Sequence, residues 1–281
     1  MESSFENIAG EVFAWIYIGS IAILGAWEFI APKRESIASI RLRWTNNALF
    51  YVLGVWVTRL LVPLSCVSVA YLGGQNGWFV FNTVLDFPVW AQIIVALLAM
   101  DLLRWLVHRL FHVSSWLWRF HRVHHTDTEF DISTALRFHP VEMLVQTLAN
   151  ISVILILGLP ALAVLVFEAS LLAENFFNHG NIRLAPKLEH ALRRVVVTPD
   201  MHRIHHSTDK SEYDANFAAL FSWWDRLFGT YVQNPKQGHE TMSLGIDGYG
   251  DKKHLNMGWM LMNPFLAPDT APGRSSQSPS A

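Results

Sequence analysis

Five long apolar runs constrain this chain more than any other feature: Val12–Ala31, Asn47–Leu72, Phe87–Val107, Val141–Gly158 and Pro160–Asn178. A helix needs about 20 mostly apolar residues to cross a bilayer. Only helices and closed barrels satisfy their own backbone in lipid. Runs of this length therefore predict a bundle of membrane-spanning helices. The last two runs are joined only by Gly158-Leu159-Pro160, which leaves room for a tight hairpin turn. Composition agrees. Apolar residues make up 52% and charged residues 16%, against roughly 25% charged in soluble domains. Mean hydropathy is +0.25.

Basic residues alternate across these runs. Lys33, Arg34, Arg41 and Arg43 follow the first, whereas the stretch from Gly73 to Asp86 has none. Arg109, Arg119, Arg122 and Arg137 follow the third, and basic residues resume at Arg183 after the fifth. Lys and Arg favour the cytoplasmic side of a membrane. The pattern therefore predicts five spans with the N-terminus outside. The first run does not read as a cleavable leader, because Met1–Glu11 carries three Glu and no basic residue. Arg59 falls inside the second run, where it is expected to pair with an acid such as Glu168 or to line the bundle interior. The Pro- and Ser-rich end, from Asn263 to Ala281, reads as disordered. Three regions follow: 1–97 as an N-terminal membrane region, 98–233 as the catalytic unit, and 234–281 as a partly disordered tail.

Thirteen histidines in so apolar a chain need explaining. His108 and His112 are four residues apart, so on a helix they share a face. His121, His124 and His125 follow at i, i+3 and i+4, and His202, His205 and His206 repeat that spacing. His179 comes directly after the fifth run, at the same membrane level. Imidazole suits zinc, copper, iron and nickel, and one helical turn bearing several imidazoles supplies ligands that already converge. A structural zinc takes four ligands and a catalytic zinc three. Eight clustered histidines plus His179 exceed one ion and point to two metals. His139, followed by Pro140, can be read equally as a ligand or as the residue that precedes a helix. His190, His239 and His254 read as ordinary polar residues.

The single cysteine, Cys66, excludes a disulfide framework or a Cys-rich cluster. A net charge of −2 offers no basic field for nucleic acid. Asp101, Asp127, Asp131, Glu142, Asp200 and Asp225 are candidates to fix imidazole tautomers. Among them, Asp200 is expected to cap the helix of the third cluster and Asp225 to pair with a basic neighbour. Arg104, Arg109 and Arg119 fall at the expected lipid-interface edge of the site.

At His108-x-x-x-His112, His121-x-x-His124-His125 and His202-x-x-His205-His206 the chain resembles the fatty acid hydroxylase and sterol desaturase superfamily of membrane di-iron enzymes. Thr134-Ala-Leu-Arg-Phe-His-Pro-Val-Glu142, Asn216-Phe and Trp223-Trp-Asp-Arg-Leu-Phe-Gly-Thr230 support the match, which covers about Leu98 to Tyr231. Within the superfamily the chain looks closest to bacterial members and to alkylglycerol monooxygenase. The resemblance implies an all-α, integral-membrane helical bundle of four to five spans, with a cytosolic helical cap carrying the histidines. It also implies two iron ions, O₂, a membrane lipid that is hydroxylated or desaturated, and electrons from a separate protein or small reductant. The eight box histidines map onto ligand positions, and His179 falls in the family's additional ligand region. A bacterial inner membrane, with the histidines on the cytoplasmic side, is the expected location. Two rivals stay open. A membrane zinc hydrolase lacks its His-Glu-x-x-His box here, and a metal transport or storage protein would place polar groups near mid-membrane.

Overall fold

The computed structural model describes residues 2–36, 39–78 and 87–266. Regular structure among them is helical, apart from three single-residue bridges: Pro32 with Ile182, Val196 with Phe221, and Ser207 with Leu244. The long helices are α1 (Glu2–Ile30), α2 (Ile40–Leu61), α4 (Val89–Val113), α6 (Pro140–Leu157) and α7 (Ala161–Asn178). A shorter α3 (Cys66–Gln75) continues the apolar segment of α2. By length and composition five segments can cross a membrane: Phe5–Ile30, Ile40–Gln75, Val89–Val113, Pro140–Leu157 and Ala161–Asn178. The chain is thus a multi-pass helical membrane protein. Trp15, Phe29, Trp56, Leu60, Trp90 and Ile156 stand exposed on these helices, an apolar belt that water would not tolerate and lipid would cover.

The spans depart from the sequence expectation in two places. The second run breaks at Val62, before Pro63, which has no N–H to continue α2. Ser65 then caps α3, accepting from the Ser68 amide at 2.9 Å. Because of the break, Arg59 lies in the last turn of α2 and is exposed. Among the described residues no ion pair joins it to Glu168. The third run extends further than expected. Helix α4 continues through Val113, which keeps His108 and His112 on the same regular helix as the span.

Small residues set how closely the spans approach. Ala70, Ala96 and Ala163 are almost fully buried in the cluster that joins α1, α3, α4, α6 and α7, and side chains of this size let helix backbones meet. Gly54 is tighter still: a Cβ there would run into the Met143 sulfur. The hairpin between α6 and α7 forms as expected, with Gly158 in the left-handed region at φ 64°.

Short helices cap one end of the bundle: α5 (Ser115–His125), α8 (Pro186–Leu192), α9 (Pro199–His205), α10 (Lys210–Tyr213), α11 (Trp223–Leu227) and α12 (Met257–Leu266). The expected disorder from Asn263 is corrected at its start. Residues 263–266 complete α12, where the Arg122 Nε donates to Asn263 Oδ1 at 2.9 Å. The rest of that tail lies outside the described residues.

Two buried arginines tie cap to bundle. Arg43, at the start of α2, donates from Nε and Nη2 to the two Asp127 oxygens, each at 2.9 Å, and from Nη1 to Asp131 at 2.6 Å. Arg137 donates to the carbonyls of Val123 and His254 and to the side chains of Asn47 and Thr126. A buried ion pair broken on one side costs about 3–5 kcal/mol, so the loop after α5 is held firmly to α2. Asp127 and Asp131 therefore serve the scaffold and contact no imidazole.

Candidate metal centre

Nine histidines converge at the cap end of the bundle. His108, His112, His121, His125 and His205 bring one ring nitrogen each within 4.8 Å of one another, and His124, His179, His202 and His206 do the same beside them. These are the same nine residues singled out from the sequence. The helical period explains the division. His121 and His125 are one turn apart on α5 and enter the first cluster, while His124, offset from both, enters the second. On α9 the pattern is reversed: His202 and His206 share the second cluster and His205 crosses to the first.

The donor set suits metal ions. Nε2 of His121 lies 3.1 Å from Nε2 of His108 and 3.2 Å from Nε2 of His125. Nε2 of His179 lies 3.1 Å from Nε2 of both His124 and His202. Two nitrogens bound to one ion at right angles, each at about 2.1 Å, would stand about 3.0 Å apart. Buried ring nitrogens also lack a hydrogen-bond partner, among them His112 Nε2, His205 Nε2 and both nitrogens of His206. Buried polar atoms rarely go unpaired, so these nitrogens await a ligand of another kind.

The outward nitrogens fix the tautomers. Nδ1–H donates to the carbonyl of Phe217 from His108 (2.7 Å), of Asn175 from His179 (2.8 Å) and of Ala215 from His205 (2.8 Å). His121 donates to Glu142 at 2.8 Å and His112 to Asp214 at 3.2 Å. With the proton held outside, each Nε2 lone pair faces its cluster. Protonation works in the same direction. Burial lowers His179 to about 4 and, with His121 beside it, His205 to about 3. Burial likewise pushes His124, His125, His202 and His206 well below the ordinary imidazole value. Neutral imidazole is the form that binds metal.

Of the six candidate carboxylates only Glu142 touches a clustered imidazole; Asp214, not foreseen, is the second carboxylate to do so. Two expected roles are corrected. The helix α9 is capped by Thr198, whose hydroxyl accepts from the Met201 amide, with Pro199 in the first position. Asp200 pairs instead with Lys33 at 2.9 Å and with Arg203. Among the described residues Asp225 pairs with no base; it accepts from the amides of Phe217 and Ala218, from Trp105 Nε1 and from the Thr230 hydroxyl. Asp101 accepts from the amides of Leu220 and Phe221 and from Trp224 Nε1. These two carboxylates fasten the 217–221 segment, and thus the Phe217 carbonyl, against α4. Asn216 sits in the left-handed region at φ 55°. Its side chain, bonded to Met201 and Val232, holds that turn.

The remaining histidines stay apart. His139 caps α6, accepting from the Val141 amide at 3.1 Å. His190 bonds Arg194, His254 caps a short 3₁₀ turn, and His239 lies 3.9 Å from Asp200.

A small cavity of about 40 Å³ opens beside the clusters, lined by His108, His121, His124, His179 and His202 with Arg104, Glu142 and Gln146. A second, of about 190 Å³, shares its Arg104, Phe138, Gln146, Asn175 and Asn178 walls and reaches Met143, Leu171 and Leu172 between the spans.

Residues 93–230 match the family model described as fatty acid hydroxylase. An ornithine lipid hydroxylase from Rhizobium tropici is 29% identical over 260 residues, which is 90% of this chain and 75% of the relative. Human alkylglycerol monooxygenase is 28% identical over 171 residues, 59% of this chain and 36% of the relative. A very-long-chain aldehyde decarbonylase from Oryza sativa subsp. indica is 28% identical over 143 residues, 50% of this chain and 54% of the relative. The chain thus spans three-quarters of the first relative and about a third to a half of the other two. No solved structure matches.

Proposed function

Because the chain belongs to the fatty acid hydroxylase and sterol desaturase superfamily, we propose that it is a membrane-bound oxygenase that uses two iron ions to hydroxylate a lipid. One observation carries this reading: two adjacent histidine clusters beside a cavity that continues between the spans. His108, His112, His121, His125 and His205 hold one ion, and His124, His179, His202 and His206 the other. Five nitrogens at one site exceed what a zinc ion takes, which favours iron. Residues 98–233 form the catalytic unit, 1–97 anchor it in the membrane, and 234–281 follow as a C-terminal tail. The basic residues around the histidine end favour the cytoplasmic side, and a bacterial inner membrane fits the Rhizobium relative.

The irons supply activation of O₂: one oxygen atom enters a C–H bond, and the other leaves as water with two electrons and two protons from a separate protein or small reductant. The chain supplies the setting. Phe217, Asn175, Ala215, Glu142 and Asp214 hold protons on the outer imidazole nitrogens and keep the inner lone pairs directed at the ions. Burial keeps the imidazoles neutral. The apolar walls of Phe138, Met143, Leu171 and Leu172 admit an acyl or alkyl segment and exclude water from the reacting carbon.

Metal analysis of the purified protein, followed by lipid mass spectrometry of membranes with and without the active gene, tests the proposal. Two irons per chain and a lipid gaining one oxygen are expected. A single zinc would overturn the oxygenase reading, and a loss of two hydrogens would replace hydroxylation by desaturation.

A further inference from the structure

Three spans each place a polar side chain four residues, one helical turn, from a residue of the histidine site and on its membrane side. On α4, Arg104 lies one turn before His108. On α6, Gln146 lies one turn after Glu142, the acceptor for His121. On α7, Asn175 lies one turn before His179. All three line both cavities, and Asn178 joins them. This is a polar ring set into the apolar path by which a lipid would reach the clusters.

Arg104 is the unusual member. A guanidinium within a span is costly and persists where it serves a function. Its Nη1 donates to Gln146 Oε1, which leaves most of its five donors unused. Among the described residues it forms no ion pair. The carboxylates whose charge reaches it are Glu142, Asp101 and Glu168, none of them in ion-pair contact with it, and Glu142 Oε2 is buried without a partner. Glu142 Oε1 accepts from His121 and Gln146, and both Asp101 oxygens accept from the 220–224 segment. Gln146 and the asparagines can bond any oxygen or amide, whereas the remaining Arg104 donors, in ion-pair contact with no carboxylate among the described residues, favour an oxygen that carries negative charge. Arg presents a planar fork that matches carboxylate and phosphate oxygens.

We propose that Arg104, with Gln146, Asn175 and Asn178, is an anchoring site for an anionic oxygen, carboxylate or phosphate, of the lipid substrate, and so directs oxidation to a carbon close to that group. The far end of the lipid runs past Met143, Leu171 and Leu172. This deepens the oxygenase reading and rests on it for the word substrate; the anion site itself does not.

The test is equilibrium binding, followed by intrinsic tryptophan fluorescence of the full-length protein in neutral detergent, with hexadecanoate, hexadecyl phosphate and methyl hexadecanoate as probes. Wild type should bind at least one anion about tenfold or more tightly than the methyl ester, equivalent to about 1.4 kcal/mol. Arg104→Gln should erase that preference while leaving ester binding, metal content and thermal unfolding near wild type. Arg104→Lys should restore part of it. Preference for only one anion assigns the headgroup chemistry. A wild type that binds acid and ester alike overturns the proposal, as does a folded Arg104→Gln protein that keeps the preference. If the preference holds but no lipid is oxidised, the oxygenase reading fails and the anion site stands. If lipid is oxidised far from any acidic group, the anchoring role fails and the oxygenase reading stands.

Discussion

His124 and His125 are adjacent in sequence, yet their rings stand 5.6 Å apart at 89° and serve different clusters. His205 and His206 repeat the arrangement at 5.6 Å and 83°. The His-x-x-His-His box is thus a divider: one helical turn feeds two neighbouring sites, and two such turns facing each other complete both.

It follows that His124→Ala and His125→Ala should damage different sites. Each should abolish lipid oxidation. His124→Ala should weaken metal at the four-histidine cluster and His125→Ala at the five-histidine cluster, seen as a fall in bound metal per chain. Full metal content with full activity in either variant would refute the ligand assignment.

Outward hydrogen bonds should matter nearly as much as the ligands. Removing such a partner typically costs roughly 10–100-fold in metal affinity or activity. Glu142→Ala frees the His121 Nδ1–H and should show a loss of that size in metal titration. Glu142→Gln, which retains an accepting oxygen, should lose less.

Asp225 accepts four hydrogen bonds in a buried setting, and each buried donor left unpaired costs about 1–3 kcal/mol. Asp225→Ala should lower the thermal unfolding midpoint and, by freeing the Phe217 carbonyl, loosen metal at the His108 cluster. Unchanged unfolding would show that the 217–221 segment is held by other contacts.

At the contact between α2 and α6, Gly54→Val should destabilise by about 1–3 kcal/mol through overpacking, because a Cβ would meet the Met143 sulfur. Adding Met143→Ala should recover part of that loss, since the two sites are coupled. Additive losses in the double variant would count against direct contact.

Metal-stripped protein should be sensitive to acid. Burial holds His179 at about 4 and His205 at about 3 in the folded state, below the unfolded value of about 6.5. Between these limits the unfolded chain binds more protons, so stability falls as pH drops. The unfolding midpoint of the stripped protein should hold steady above about pH 6.5 and decline below it. Restoring metal should raise the midpoint by binding the folded state alone. A stripped protein equally stable at low pH would contradict the burial of these imidazoles.

Much of this was legible in the sequence because it follows from local periodicity. Runs of about 20 apolar residues mean spans, and the spacing of His108, His112, His121, His124, His125, His202, His205 and His206 puts imidazoles in register on helices. His179 followed from its place at a span's end. What the sequence could not convey is which side chains from distant segments meet. Asp225 was expected to find a base, and it instead holds four donors from α4 and the 216–230 loop. Asp200 was expected to cap α9, and Thr198 does so. Asp214 gave no signal, because its partner His112 is about a hundred residues away. The division of nine histidines into five and four, and the alignment of Arg104, Gln146 and Asn175 one turn from the site, were decided only when three spans packed side by side. Helical period fixes the face on which a residue lies; which faces confront one another depends on packing, here set by Gly54, Ala96 and Ala163.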